Sequence, residues 1–396
     1  MFKKKIKVLI YLNHDSDRKN ACTLYRCILP FKYLRKFKVR YSNEVQTTFD
    51  YNPISKKVRS VSLKLDLVEW ADVVVFARHY DQVSIMGMVA EAAKNMGKTI
   101  VYETDDLLHR VGQNLGGGGK KGADEMDRQL KMIDWLLPHV DLLTVSTDSL
   151  KEFYSKKTEK PIFVLPNCFD PAAWRFLYVY KKLRDFWRKK IMKDDTIRIG
   201  WQGGNNHFLN NFNYIVDPLN EIAKKYGKKI QFVAMAGQHP NIDIYGNLGA
   251  KRKFLNFDFE YRKPVPVMSF PRALAEMDLD VGLIVVEDSE FSRAKSNIKW
   301  MEYGLLGVPA VSSNVLPYQD TNAVLVDNSY EAWVGAIESL VNNEHKRAII
   351  GAKARKMALG LSIKKHAWRW EKAYRDALSG ALLEPKVGYA SYSNKP

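Results

Sequence analysis

One stretch in the last third of this sequence groups residues that could do chemistry. Phe291-Ser292-Arg293-Ala294-Lys295-Ser296-Asn297-Ile298-Lys299-Trp300-Met301-Glu302-Tyr303-Gly304 leads from a polar loop into a helical pattern, and Gly307-Val308-Pro309 turns it into a small-residue strand ending at Ser313. The pattern predicts a helix opening near Ser296, whose hydroxyl caps it and whose free N–H groups suit an anion. Lys295 and Lys299 stand four apart, on one face at that positive end, where they repel each other unless an anion lies between them. A diphosphate answers that description, with Arg293 as a third cation. Glu302, one turn on, is spaced to accept hydrogen bonds from ribose hydroxyls. The bland alternative is a surface helix with solvated lysines.

A second group is Tyr102-Glu103-Thr104-Asp105-Asp106, at the carboxyl end of a predicted strand. Adjacent carboxylates raise one another's pKa, which suits Asp105 or Asp106 as a general base for a hydroxyl; a helix cap is the competing role. Asp278-Leu279-Asp280 has the spacing of a metal site but precedes a buried strand, so no metal is expected there. Gly116–Gly119 with Lys120-Lys121 lacks the ending of a phosphate-binding loop and reads as a surface loop or lid. His79, His207 and His239 have no partner visible in sequence. Cys22, Cys27 and Cys168 form neither a disulfide framework nor a metal-ligand spacing, and Cys22 and Cys27 read as small core groups.

Charge narrows the partners. The 396 residues carry 62 Lys+Arg against 44 Asp+Glu, a net charge of +18, which favours a polyanion, an anionic membrane surface or a phosphorylated substrate. Basic and aromatic residues interleave over Phe31–Tyr41 and Trp174–Lys190. That texture suits nucleic acid, through phosphate contacts and base stacking, or an amphipathic helix on anionic lipid. Lys36, Lys38, Arg188 and Lys189 are the cations expected to make such contacts. The competing view makes the aromatics core and the basic residues their solvated side. No apolar run reaches the roughly 18 residues needed to cross a bilayer, no secretory leader is evident, and a cytoplasmic location is expected.

The elements that must position these residues come in two series. Strands are predicted at 7–12, 73–77, 99–103, 142–146 and 162–165, then at 197–201, 230–236, 281–286, 309–313 and 323–326, with helical patterns between them. Such alternation means parallel sheets built from βαβ units. Two tandem α/β domains result: 1–166, with a final helix near 366–380 packing back on it, and 196–365. A basic linker over 167–195 joins them, and 384–396 is a mobile tail. The turn after the first strand, Asn13–Arg18, has no glycine, which argues against a dinucleotide cofactor.

The 291–313 segment resembles the C-terminal signature of GT-B glycosyltransferases, especially family-4-like enzymes. Ile197-Arg198-Ile199-Gly200-Trp201-Gln202-Gly203-Gly204 is similar to the first strand and glycine loop of that domain, Val164-Leu165-Pro166-Asn167 to the interdomain segment, and Leu143–Thr147 to the last strand of the N-terminal domain. The resemblance implies two Rossmann-like doubly wound domains facing a cleft, 1–166 on the acceptor side and 196–365 on the donor side. It also implies a UDP- or GDP-sugar donor, with Glu302 on the ribose, Lys295 and Lys299 on the phosphates and Gly203-Gly204 beside the diphosphate, and no metal for chemistry. Where the family pattern has a first glutamate, this chain has Ala294. The acceptor expected first is a hydroxymethylated base in DNA, reached by flipping it from the helix. A lipid-linked or cell-surface glycan is the rival acceptor, and a non-enzymatic nucleic-acid-binding relative is the third reading.

Overall fold

The computed structural model describes residues 5–12, 20–51, 58–78, 83–113, 119–203, 208–237 and 255–380. Two compact units result, Met1–Asn167 with Ile363–Pro396, and Cys168–Ser362. Gly204, the three histidines His79, His207 and His239, the turn 13–18 and the tail 384–396 lie outside the described residues. No helix among the described residues is long and apolar enough to cross a membrane.

In the first unit, β1 (Ile6–Tyr11), β2 (Phe37–Ser42), β3 (Thr47–Tyr51), β4 (Val58–Leu63), β5 (Val73–Ala77), β6 (Thr99–Thr104), β7 (Leu142–Val145) and β8 (Ile162–Val164) follow in chain order. Six of them form a parallel sheet in the order β2-β1-β5-β6-β7-β8, while β3 and β4 pair as an antiparallel hairpin. Every residue of β5 is buried, as a central parallel strand covered on both faces requires. The basic–aromatic run 31–41 is core and edge strand. Phe37, Val39 and Tyr41 alternate with the exposed Lys38 and Arg40 along β2. Phe31 and Phe37 meet Tyr374 of the helix Trp368–Leu378 edge to face at 5.6 and 6.3 Å, and Lys36 reaches Glu371 of that helix at 3.4 Å. Lys36 is thus tied to the C-terminal helix, and Lys38 alone of the four expected contact cations is exposed with no ion pair among the described residues. The glycine–lysine run is in part helical: Gly119–Leu136 is one helix.

The second unit holds β9 (Ile197–Gly203), β10 (Ile230–Ala236), β11 (Glu260–Arg262), β12 (Val281–Ile284), β13 (Ala310–Ser313) and β14 (Val324–Val326), all parallel, in the order β11-β10-β9-β12-β13-β14. Its core fills between the sheet and the helices Phe208–Tyr226 and Tyr330–Val341, with Trp201, Phe232 and Trp333 among the fully buried side chains. The segment 167–195 is not a separate linker. From Cys168 on it belongs to this unit, and its helix Leu177–Phe186 continues as one π-helical turn, Trp187–Ile191. Arg188, 8% exposed, donates to Asp278 and Asp280 at 2.9 Å each and to Asp185 at 3.1 Å, and its remaining nitrogen bonds the Thr196 carbonyl. Lys189 reaches Asp280 at 3.1 Å and Asp185 at 3.3 Å. Burial alone would raise the Asp280 carboxyl, but Lys189 and Arg188 hold it below the ordinary range. The expectation that Arg188 and Lys189 face a polyanion is overturned, because the Asp-x-Asp pair claims them. That pair is a structural ion cluster.

In the first unit Arg26 plays the comparable part. It is 3% exposed, donates to Glu103 at 2.7 and 3.2 Å, and bonds the Leu165 carbonyl and Asn167. Its guanidinium also lies 5.5 Å from the Trp370 ring centroid, and Thr144 donates to Glu103 at 2.5 Å. One side chain therefore links an N-terminal helix, β6, the chain's exit from the sheet and the C-terminal helix. Removing it strands a buried carboxylate. Arg26→Met should cost about 3–5 kcal/mol in chemical denaturation, and adding Glu103→Gln should restore part of that. A cost within experimental error would show that the pair does not hold this unit together.

Candidate functional site

In the second sheet the strand order reverses between β9 and β12, and a doubly wound sheet leaves its ligand crevice at the carboxyl ends of those two strands. The 291–305 segment is packed there. Tyr303 is fully buried on β12, where a Cβ at Gly282 would come within 2.8 Å of its ring, so only glycine admits it. Its hydroxyl donates toward the Gly200 and Leu283 carbonyls at 3.4 and 3.5 Å. On the helix's other side, Gly304 lies against Ala354 and Ala358 of the helix Glu344–Ala358. Held between these contacts, the helix Ile298–Leu305 presents Glu302 to Gln202 at the end of β9. The Gln202 amide donates to the Glu302 carboxylate at 3.2 Å, and Glu302 is 6% exposed.

Lys299 sits one turn before Glu302 with its ammonium 5.7 Å from the Trp201 ring centroid, and makes no ion pair among the described residues. Burial pushes this ammonium down to about 8, the neighbouring charge of Lys295 pushes the same way, and Glu302 opposes them only in part. Lys295 lies 4.3 Å over the Phe291 ring. The site therefore holds two close cations and a buried carboxylate beside a glycine, Gly203, where a Cβ would come within 2.6 Å of Trp201.

Two details differ from the sequence expectation. Ser296 does not cap the helix. Ser289 caps a separate one-turn helix, Glu290–Arg293, by accepting from the Ser292 N–H at 3.2 Å, and the chain breaks before restarting at Ile298 behind Asn297. Lys295 and Ser296 lie in that break, so Lys295 approaches Lys299 from a turn and not along one helix face. Arg293 is 57% exposed and forks onto Asp288 at 2.7 and 2.8 Å, so it has a carboxylate of its own. Gln202 and Trp201 were legible only as flanks of the glycines, and their role here depends on a partner about a hundred residues away.

At the carboxyl edge of the first sheet, Arg78 follows β5 with φ of 64°, an uncommon conformation for a non-glycine residue and one that concentrates at functional positions. Its guanidinium bonds Asp105 and, at 3.0 Å, Asp106, the two residues after β6. Asp105 is 7% exposed, and the Asp106 carboxylate 18%. The two acids are therefore clamped together by one arginine and do not form an isolated carboxylate dyad. Cys22 lies with them, its sulfur and the two carboxylates within 4.8 Å of one another. The positive charge at that cluster is Arg78, and burial followed by the neighbouring Asp105 pushes the Cys22 thiol well above its ordinary value.

No family model matches the sequence, and no curated protein matches it. Solved structures match nearly the whole chain. A structure of HepE from Anabaena in complex with UDP and glucose aligns with a TM-score of 0.57 at 11% identity, over 94% of this chain and 100% of its own. An α,α-trehalose 6-phosphate synthase from Burkholderia multivorans gives 0.57 at 10% identity, over 96% and 99%. The E. coli trehalose-6-phosphate structure bound with UDP-2-fluoro glucose gives 0.55 at 12%, over 94% and 99%. The fold is GT-B. Both units of the GT-B fold are Rossmann-like, and each carries its candidate group at the carboxyl edge of its sheet.

The lowered Lys299 pKa has a sign that can be checked. The folded value, about 8, lies below the unfolded 10.5, so the buried charge weakens the fold at neutral pH and the penalty fades as pH climbs from 8 to 10.5. Lys299→Met should therefore raise the ligand-free unfolding free energy at pH 7 by on the order of 1 kcal/mol, the side chain being only half-buried. The gain should shrink above pH 8. Paired melts across that range test this, and a gain that is absent at pH 7 or flat with pH contradicts it.

Proposed function

We propose that the chain is a glycosyltransferase that takes its sugar from a UDP-sugar held by the second unit. The observation that carries this is the Lys299 ammonium, packed close to Lys295 without an ion pair among the described residues and one turn from a buried carboxylate. A diphosphate would supply the missing negative charge, and Glu302, oriented by Gln202, would take the ribose hydroxyls. The structural neighbours with UDP and with UDP-2-fluoro glucose support UDP over GDP.

In the reaction, the bond between the sugar's anomeric carbon and the diphosphate oxygen breaks, and the oxygen keeps the electron pair. Lys295 and Lys299 stabilise that developing charge. The acceptor hydroxyl forms the new bond to the anomeric carbon and loses its proton. Asp106, the more exposed carboxylate of the Arg78 pair, orients that hydroxyl and takes the proton, while Asp105 fixes Arg78. Gly203 leaves room for the Trp201 ring beside Lys299, Arg293 belongs to the rim, and no resident metal enters the scheme. The finer reading of the acceptor as a hydroxymethylated base in DNA is supported by the net charge of +18 and by the exposed Lys38. Arg188 and Lys189 no longer contribute to it.

Calorimetry with UDP-glucose, UDP and GDP tests the donor site. Glu302→Ala and Lys299→Ala should each weaken UDP binding by roughly 10–100-fold, as expected for a charge-assisted hydrogen bond, and Arg293→Ala should leave it nearly unchanged. Unaltered affinity in both site variants would refute the assignment. Asp106→Asn should lower transfer by about 10²–10⁴-fold with UDP affinity retained; full turnover in that variant would remove its role. Sugar transfer onto hydroxymethylated DNA, set against lipid-linked glycan, decides the acceptor.

A further inference from the structure

The helix that carries Arg188 is amphipathic with its polarity reversed. Toward the protein it turns Lys181, Asp185 and Arg188, at helical spacing, into the cluster with Asp278 and Asp280. Toward solvent it turns Val179, Leu183, Phe186 and Trp187, which are 53%, 63%, 59% and 56% exposed. Phe176 precedes them, and Ile191 and Met192 extend the stripe at 58% and 57%. A lone exposed apolar residue needs no explanation, but a continuous stripe on one helix face does. Exposed cations border it: Arg175, Lys182, Arg184, Lys190 and Lys193. Asp185 is the one acid between Trp174 and Lys193 and is bound to Arg188; Asp194, just beyond, accepts from the Thr196 N–H at 2.9 Å, and Asp195 is exposed.

We infer that this face docks in the plane of an anionic lipid bilayer, with the apolar stripe among the acyl chains and the five cations at the headgroups. Residues 177–191 make a rod about 22 Å long, ample for an interfacial helix and too short to span. Trp187 and Phe186 are the residue types that settle at the headgroup boundary. Charge selects this occupant over others. A second copy docked on the same face would set five cations against five. DNA offers apolar surface only at thymine methyls and between unstacked bases, too little to cover Val179, Leu183 and Ile191 together with Phe186 and Trp187. Anionic headgroups meet both demands. The inference stands on the surface of the second unit alone and does not depend on the donor reading.

The test is cosedimentation of the full chain with phosphatidylcholine vesicles, with and without phosphatidylglycerol. Binding should require phosphatidylglycerol and fall as salt rises. Leu183→Glu with Ile191→Glu, both on exposed positions, should reduce partitioning by about tenfold or more, with thermal midpoint and UDP affinity unchanged. If that variant fails to fold, Arg184→Gln with Lys190→Gln, which leaves the stripe intact, should still lower binding to the anionic vesicles. Wild-type protein left in the supernatant with phosphatidylglycerol present would overturn the proposal. So would equal partitioning of the variants, or a wild-type dimer in sedimentation equilibrium that Leu183→Glu with Ile191→Glu makes monomeric, since a second copy would then be the occupant.

Discussion

A charge that leaves water must be met by an opposite charge or by several hydrogen bonds, and the buried cations of this protein answer that constraint in different ways. Arg26 is met by Glu103 and by carbonyls, and it ties the C-terminal helix to the first sheet. Arg188 is met by three aspartates, and that cluster fixes the 177–191 helix with its polar side inward. Lys299 is met only in part. One like charge, Lys295, and an aromatic ring lie beside it, and the carboxylate one turn away is shared with Gln202. The first two arrangements are complete as they stand. The third is left short of negative charge, and the proposed donor site rests on this difference from the two structural cations.

Parallel topology puts the reactive groups where they are. Each sheet changes direction at one point, between β1 and β5 in the first unit and between β9 and β12 in the second. Arg78 and Cys22 lie near the first of these points with Asp105 and Asp106 on the adjacent strand's exit, and Gln202, Gly203 and the 291–305 segment lie at the second. Small residues let the second site form: a side chain at Gly282 or Gly203 would collide with Tyr303 or Trp201. Tyr303 and Glu302 are neighbours in sequence, so seating one ring in the sheet places the carboxylate beside Gln202.

Much of this was legible before the structure, because buried parallel strands read as uninterrupted apolar runs. Val73–Ala77 and Ile230–Ala236 have the predicted bounds. What escaped has physical reasons. The alternation of Phe37, Val39 and Tyr41 with cations is a half-buried edge strand, yet its composition resembles a nucleic-acid surface. The hairpin β3–β4 and the short β11 have no such run. Lys299 and Glu302 share one helix as their spacing suggested, but Lys295 lies in the break before it, because Ser289 caps an earlier one-turn helix. Gln202 and Arg78 could not be assigned from local pattern, since their partners are 100 and 27 residues away. The 177–191 helix misled most, because amphipathic patterning gives two faces and says nothing about which one faces inward. The Asp-x-Asp pair that decides it lies about 90 residues downstream.

The most direct test of the donor-site account is proton uptake on binding. An ammonium whose pKa is about 8 without ligand should regain its proton when a diphosphate arrives, because the ligand's charge raises that pKa. UDP titrations slightly above pH 8, in two buffers of different ionisation enthalpy, count the protons exchanged. The account predicts net uptake by the wild-type protein and none by Lys299→Met. Binding with no proton uptake, or equal uptake in the variant, would mean that Lys299 does not meet the diphosphate.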